Sequence, residues 1–93
     1  MFKADMRTRG RTEIVSNILD AANGGITKTK IMYKAFISYN QLKKYLSLLI
    51  ENNLIEYSYE TQTYKTTEKG LNFLKMHNEI GELLPQTTTI KNN

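Results

Sequence analysis

The sequence predicts an α+β fold that is mostly α, in the order helix, helix, helix, β-hairpin, helix. Three observations carry this expectation. Apolar residues recur at helical spacing on both sides of a short central stretch. That stretch, Leu54-Ile-Glu-Tyr-Ser-Tyr-Glu60, alternates apolar and polar residues with the period of two that marks a half-buried strand. The helical segments are also bracketed by residues that start and stop helices: Thr27, Ser38 and Thr67 before them, Asn23-Gly24-Gly25 and Asn52-Asn53 after them.

The first helix is expected to open at Thr12 or Arg11 and to run to about Ala22, where Ile14, Val15, Ile18, Leu19 and Ala22 form one stripe. Glu13 lies near its positive end, and Asn23-Gly24-Gly25 stops it because these residues tolerate positive φ. Thr27 caps a second, shorter helix, Lys28 to Ala35, with Ile31, Met32 and Ala35 inward. Phe36-Ile37 form an apolar connector. Ser38 then caps a third helix from Tyr39 to about Asn52. Leu42, Tyr45, Leu46 and Leu49 share its core face, while Asn40, Lys43, Lys44, Ser47 and Glu51 occupy the opposite side. Asn53 is suited to a left-handed cap. The strand at 54–60 turns at Thr61-Gln62-Thr63 and returns at Tyr64 to Thr67, with Tyr64 and Thr66 inward. Thr67 caps a fourth helix that begins at Glu68 and ends between Glu79 and Leu84, with Pro85 as the latest stop. Residues 85–93 read as a disordered tail and residues 1–11 as a flexible basic arm. They flank a domain at 12–67 and a C-terminal helix at 68–84.

With 93 residues there is room for one small domain of modest stability, or of stability shared with a partner chain. The chain has no cysteine and one histidine, His77, so disulfide frameworks, cysteine zinc sites and thiol catalysis are excluded. The expectation is no metal and no cofactor. Paired carboxylates, Gly-rich phosphate loops and nucleophile–base spacings are lacking, so the chain does not read as an enzyme. It lacks an apolar run of membrane-spanning length and a secretory signal, which makes the cytosol the expected compartment.

The charge is more telling in its position than in its total of +4. Residues 21–50 hold five lysines and no carboxylate, whereas residues 51–93 hold six glutamates against four lysines. A one-signed field of this kind suits a polyanion. It spans the short second helix, the tight connector and the third helix. That is the helix-turn-helix plan, in which the second helix of the pair enters the DNA major groove, and a hairpin directly after it supplies a wing. In the third helix, Asn40 and Gln41 are candidates for bidentate bonds to adenine, Lys43 and Lys44 for guanine O6/N7, and Ser38 and Tyr39 for phosphate or base. Lys28 and Lys30 add charge from the second helix. Arg9-Gly10-Arg11 in the arm suits a narrow minor groove, and Gln62 and Lys65 at the wing suit flanking backbone. A plain solvated surface remains the alternative for the arm and the wing.

Several segments together resemble the archaeal winged-helix proteins of the Sso10a type. They are Ile14-x-x-x-Ile18-Leu19, Thr27-Lys-Thr-Lys-Ile-Met-Tyr-Lys-Ala35, Ser38-Tyr-Asn-Gln-Leu-Lys-Lys-Tyr-Leu46, Leu54-Ile55 and Tyr64-x-x-Thr67-Glu-Lys-Gly70. Members of this family are small DNA-binding or transcription-regulating proteins of archaea and some of their viruses. The resemblance covers roughly Arg9 to Leu74 and implies a winged helix, duplex DNA as partner, and dimerisation through the C-terminal helix. Two positions depart from the family pattern: Phe36 stands in the turn where asparagine is common, and Asn53 where glycine ends the third helix. The family's C-terminal helix is also often longer. Abundant Lys, Asn, Ile and Tyr fit an A·T-rich genome such as that of a virus or plasmid.

The fourth helix carries apolar residues on two nearly opposite sides. Leu71 and Leu74 can close the core. Phe73, Met76, Ile80, Leu83 and Leu84 form a second stripe with no element of so small a domain left to cover it, which points to a homodimer. In the alternative, Met1, Phe2 and Met6 fold back over this stripe in a monomer. Three functions remain open at this level. One is a sequence-specific dimeric transcription regulator, one an architectural DNA binder with little sequence preference, and one a winged-helix protein-interaction module that does not touch DNA.

Overall fold

The computed structural model of the chain describes residues 9–83. Its elements are α1 (Arg11–Ala21), α2 (Lys28–Ala35), α3 (Tyr39–Glu51), β1 (Ile55–Ser58), β2 (Thr63–Thr66) and α4 (Glu68–Leu83). The predicted class and element order hold. The expected tail at 85–93, most of the arm and Leu84 lie outside the described residues.

The core forms where the stripes of the first three helices meet under the hairpin. Ile18, Leu19, Ile31, Leu42, Leu49 and Ile55 are its largest fully buried side chains. They come from α1, α2, α3 and β1, so each element contributes its apolar face to one cluster. Ala22 and Ala35 are buried among them, where small side chains let the helices approach. Tyr45, Phe73 and Leu74 pack against the edge of this cluster.

Local chemistry sets the boundaries. Thr27 Oγ1 accepts from the Lys30 N–H, and Thr67 Oγ1 accepts from the Gly70 N–H at 3.1 Å, so both predicted caps form. At Ser38 the cap is reciprocal. Ser38 Oγ accepts from the Gln41 N–H at 3.1 Å, and Gln41 Oε1 accepts from the Ser38 N–H at 3.3 Å. This is a capping box, legible in the sequence as Ser-x-x-Gln. Asn53 adopts φ 62°, as expected for the residue ending α3. Gly24 and Gly25 adopt φ 97° and 94°, a pair of positive values that reverses the chain after α1.

The two strands pair antiparallel, with Ile55 opposite Thr66 and Tyr57 opposite Tyr64. Ile26, between α1 and α2, joins them by an isolated bridge: its N–H donates to Tyr64 O and its carbonyl accepts from the Tyr64 N–H, at 3.0 and 2.8 Å. The hairpin is also tied to the end of α1, because Thr66 Oγ1 donates to Leu19 O at 2.6 Å and Thr66 N–H donates to Ala22 O. The wing is thus fixed to the helical body through β2.

Several boundaries differ from the sequence reading, the second strand among them, which runs from Thr63 to Thr66. The first helix begins at Arg11, the earlier of its two expected openings, so Arg11 is helical and the arm stops at Gly10, the N-cap. That helix also ends at Ala21, with Ala22 as its buried C-cap. The first strand stops at Ser58, and Tyr59 is 87% exposed in the turn rather than inward. The Thr61 N–H donates to Ser58 Oγ and the Gln62 N–H to Ser58 O, a local turn that ends the ladder before Tyr59.

Candidate nucleic-acid interface

The helix-turn-helix pair is joined by three residues, Phe36, Ile37 and Ser38. Ile37 is buried and Ser38 starts α3, so the direction of α3 is set within one turn. Leu42, Leu46 and Leu49 hold its inner face in the core. With those positions fixed, the helical period turns Asn40, Lys43, Lys44 and Ser47 outward, and all four are exposed. They line one shallow depression on the surface of α3. A second depression lies along the flank of the same helix and is lined by Arg11, Gln41, Lys44, Tyr45 and Leu48. Arg11 therefore stands beside Lys44, brought there by the start of α1.

At the N-terminal end of α3, Tyr39 gathers charge from two helices. Lys28 Nζ lies 5.0 Å from the centre of its ring and Lys43 Nζ 5.8 Å. Each ammonium is attracted by the negative face of the ring. No carboxylate occurs in residues 21–50 to neutralise either one. Thr27, Lys28 and Thr29 at the start of α2 face the wing across a third depression, completed by Tyr57, Thr61, Gln62 and Tyr64. Gln62 sits at the wing tip with φ 56°, and its side chain is exposed.

The structure thus brings Arg11, Asn40, Gln41, Lys43 and Lys44 to two depressions that share Lys44, Lys28 and Lys43 to the ring of Tyr39, and Lys28 and Gln62 to the depression beside the wing. Lys30 and Lys65 are exposed but line none of these depressions, and Lys65 stands opposite Glu56 across the hairpin. Three predicted contacts are partly engaged within the chain. Ser38 and Gln41 spend Oγ and Oε1 on the capping box, which leaves Gln41 its Nε2 donor and no bidentate adenine contact while the box is closed. Arg9 donates from Nη1 to Ala35 O at 2.8 Å and from Nη2 to Phe36 O at 2.9 Å. The sequence reading did not single out Ser47, Thr27 or Thr29 as contacts. Their signal was positional: each lies near a chosen residue within the acid-free stretch 21–50. It also missed Tyr33 and Phe36, 74% and 72% exposed around the turn.

On α4, Met76 and Ile80 are 60% and 55% exposed. Phe73, expected on the same outer stripe, is half-buried against its own core, and its ring stacks on His77 at 6.3 Å. The helix packs on α1 as well as on the hairpin. Leu83 ends α4. Among the described residues no helix is long and apolar enough to cross a membrane, and no group of three His, Cys, Asp or Glu is placed to hold a metal ion.

Two helices joined by a tight turn, the second one outward-facing, and a hairpin directly after them define a winged helix-turn-helix protein. The chain belongs to the winged helix-turn-helix family, whose model matches residues 8–84. Its structure is similar to the crystal structure of Sso10a-2, a DNA-binding protein from Sulfolobus solfataricus. The TM-score is 0.74 at 28% sequence identity, over 81% of each chain. The resemblance read from the sequence is borne out in fold and family. No curated protein sequence matches the chain.

Proposed function

We propose that the protein binds double-stranded DNA as a dimeric transcription regulator, with α3 in the major groove and the wing against the flanking backbone. One observation carries the reading: the outward face of α3 presents Asn40, Lys43, Lys44 and Ser47, with no acid before Glu51 and with Lys28 and Arg11 drawn to its edges. A helix about 10–12 Å across matches the width of that groove. Asn40 is the group suited to a bidentate adenine contact, since the Gln41 amide is held in the cap. Lys28, Lys43, Lys44 and Arg11 serve phosphates, which supply position and most of the affinity. Lys30 and the wing residues Gln62 and Lys65 reach backbone further out. The DNA-binding character of Sso10a-2 supports the same reading.

The dimer is assigned to α4. Met76 and Ile80 form an apolar strip that the described residues leave uncovered, and such strips on small domains are commonly buried by a second copy.

Salt titration of duplex binding tests the reading. Affinity falls steeply with salt if several phosphates are contacted, because counterions are released. Competition with random duplex then separates a regulator from an architectural binder. Failure to bind any duplex at low salt leaves a protein-interaction module as the function.

A further inference from the structure

The arginine nearest the helix-turn-helix joint does not behave as a free surface cation. Arg9 precedes α1, yet its guanidinium reaches the end of α2, donating to two successive carbonyls, those of Ala35 and Phe36. Carbonyls at a helix C-terminus lack intrahelical donors, and the negative end of the helix dipole favours a cation there. A guanidinium fork satisfies both at once. Arg9 Nε is buried with no partner among the described residues, so the group is embedded at its base as well as bound at its tip.

The joint it grips is strained. Phe36 adopts φ 54° and ψ 52°, the left-handed region that a bulky side chain disfavours. Its ring is 72% exposed, so packing of the ring does not hold the backbone there. Two bonds from within the turn do: the N–H groups of Phe36 and Ile37 both donate to Met32 O. Among the described residues, the bonds from Arg9 are the hydrogen bonds that reach this turn from outside the α2–α3 unit.

We propose that Arg9 is a positioning residue: it clamps the Phe36 turn in its left-handed form and thereby sets the direction in which α3 meets its target. The inference rests on α3 being the DNA-reading helix. It assigns Arg9 a role distinct from a minor-groove contact, because a guanidinium that moves to phosphate gives up both carbonyls.

Duplex affinity as a function of salt, measured for wild type, Arg9→Ala, Arg9→Lys and Arg9→Ala/Phe36→Gly, separates the two roles. A positioning residue predicts that Arg9→Ala weakens binding several-fold with an unchanged salt slope. Arg9→Lys weakens it similarly, since an ammonium keeps the charge but not the fork. Phe36→Gly, which occupies the left-handed region freely, recovers much of the loss. A slope lowered by about 1 in Arg9→Ala, with Arg9→Lys like wild type, would overturn the proposal in favour of direct phosphate contact. No recovery with Phe36→Gly would also overturn it. Amide exchange at Phe36 and Ile37 reads the clamp without DNA. Arg9→Ala accelerates both if the clamp holds the turn, and unchanged rates refute it. A wild type that binds no duplex sinks the DNA reading alone, because the exchange measurement still decides the clamp.

Discussion

Gly70 offers the sharpest test of how the wing meets the helical body. It lies buried in the first turn of α4, where the helix passes over the entrance to β1. A Cβ at this position would overlap the carbonyl oxygen of Leu54 and lie 2.6 Å from Thr66 Cγ2. Neither neighbour yields easily. The Leu54 carbonyl is backbone and accepts the Thr67 N–H at 3.0 Å, and Thr66 is anchored by its hydroxyl to Leu19 O. Forced overpacking costs roughly 1–3 kcal/mol. Displacing the Leu54 carbonyl from the Thr67 N–H adds about 1 kcal/mol. The better helix propensity of alanine returns up to about 1 kcal/mol. Gly70→Ala is therefore expected to destabilise the fold by roughly 1–3 kcal/mol, and a value near 2 lowers the Tm by about 8–16 °C in a domain of this size. Gly81 is the internal control. It lies in the same helix with nothing within 4 Å of a built Cβ, so Gly81→Ala should raise stability by up to about 1 kcal/mol. Thermal unfolding followed by far-UV circular dichroism reads both. A Tm for Gly70→Ala equal to or above that of wild type would refute the close approach of α4 to the hairpin base.

Other expectations concern separate parts of the molecule. Lys44→Glu should leave the circular dichroism spectrum unchanged, because the side chain is exposed, and weaken duplex binding at least several-fold; unchanged affinity in a filter or anisotropy assay would remove α3 as the reader. Thr66→Val keeps the shape but removes the 2.6 Å bond to Leu19 O, and is expected to cost about 1–3 kcal/mol in urea unfolding with an unchanged m-value. Ile80→Glu should convert a dimer to a folded monomer in sedimentation at micromolar concentration; a wild type that already sediments as a monomer would refute the assigned interface.

What the sequence determined by itself is whatever depends on period and on local chemistry. The stripes of α1 and α3, the period-2 run at β1 and the caps at Thr27, Ser38 and Thr67 act over a few residues. Each could be read where it stands, and each formed. The outward placement of Asn40, Lys43 and Lys44 followed from the same logic, since burying Leu42, Leu46 and Leu49 leaves no other orientation for them. The capping box at Gln41 is equally local, and it competes with a base contact for the same amide.

Tertiary structure decided what depends on distance. The spacing of Arg9 from Ala35 and Phe36 says nothing about a bond, because 26 and 27 residues separate the partners and only the packing of α1 on α2 brings them together. The tie from Thr66 to Leu19 and the bridge from Ile26 to Tyr64 are of the same kind. Tyr59 kept the strand's alternation but lost its place inside, because the turn at Ser58 closed first. Phe73 fitted the outer stripe of α4 by angle, yet it packs partly buried against the core. Periodicity gives the direction of a side chain from its own helix axis. Which neighbour waits in that direction is fixed only when the whole chain has collapsed around a single small core.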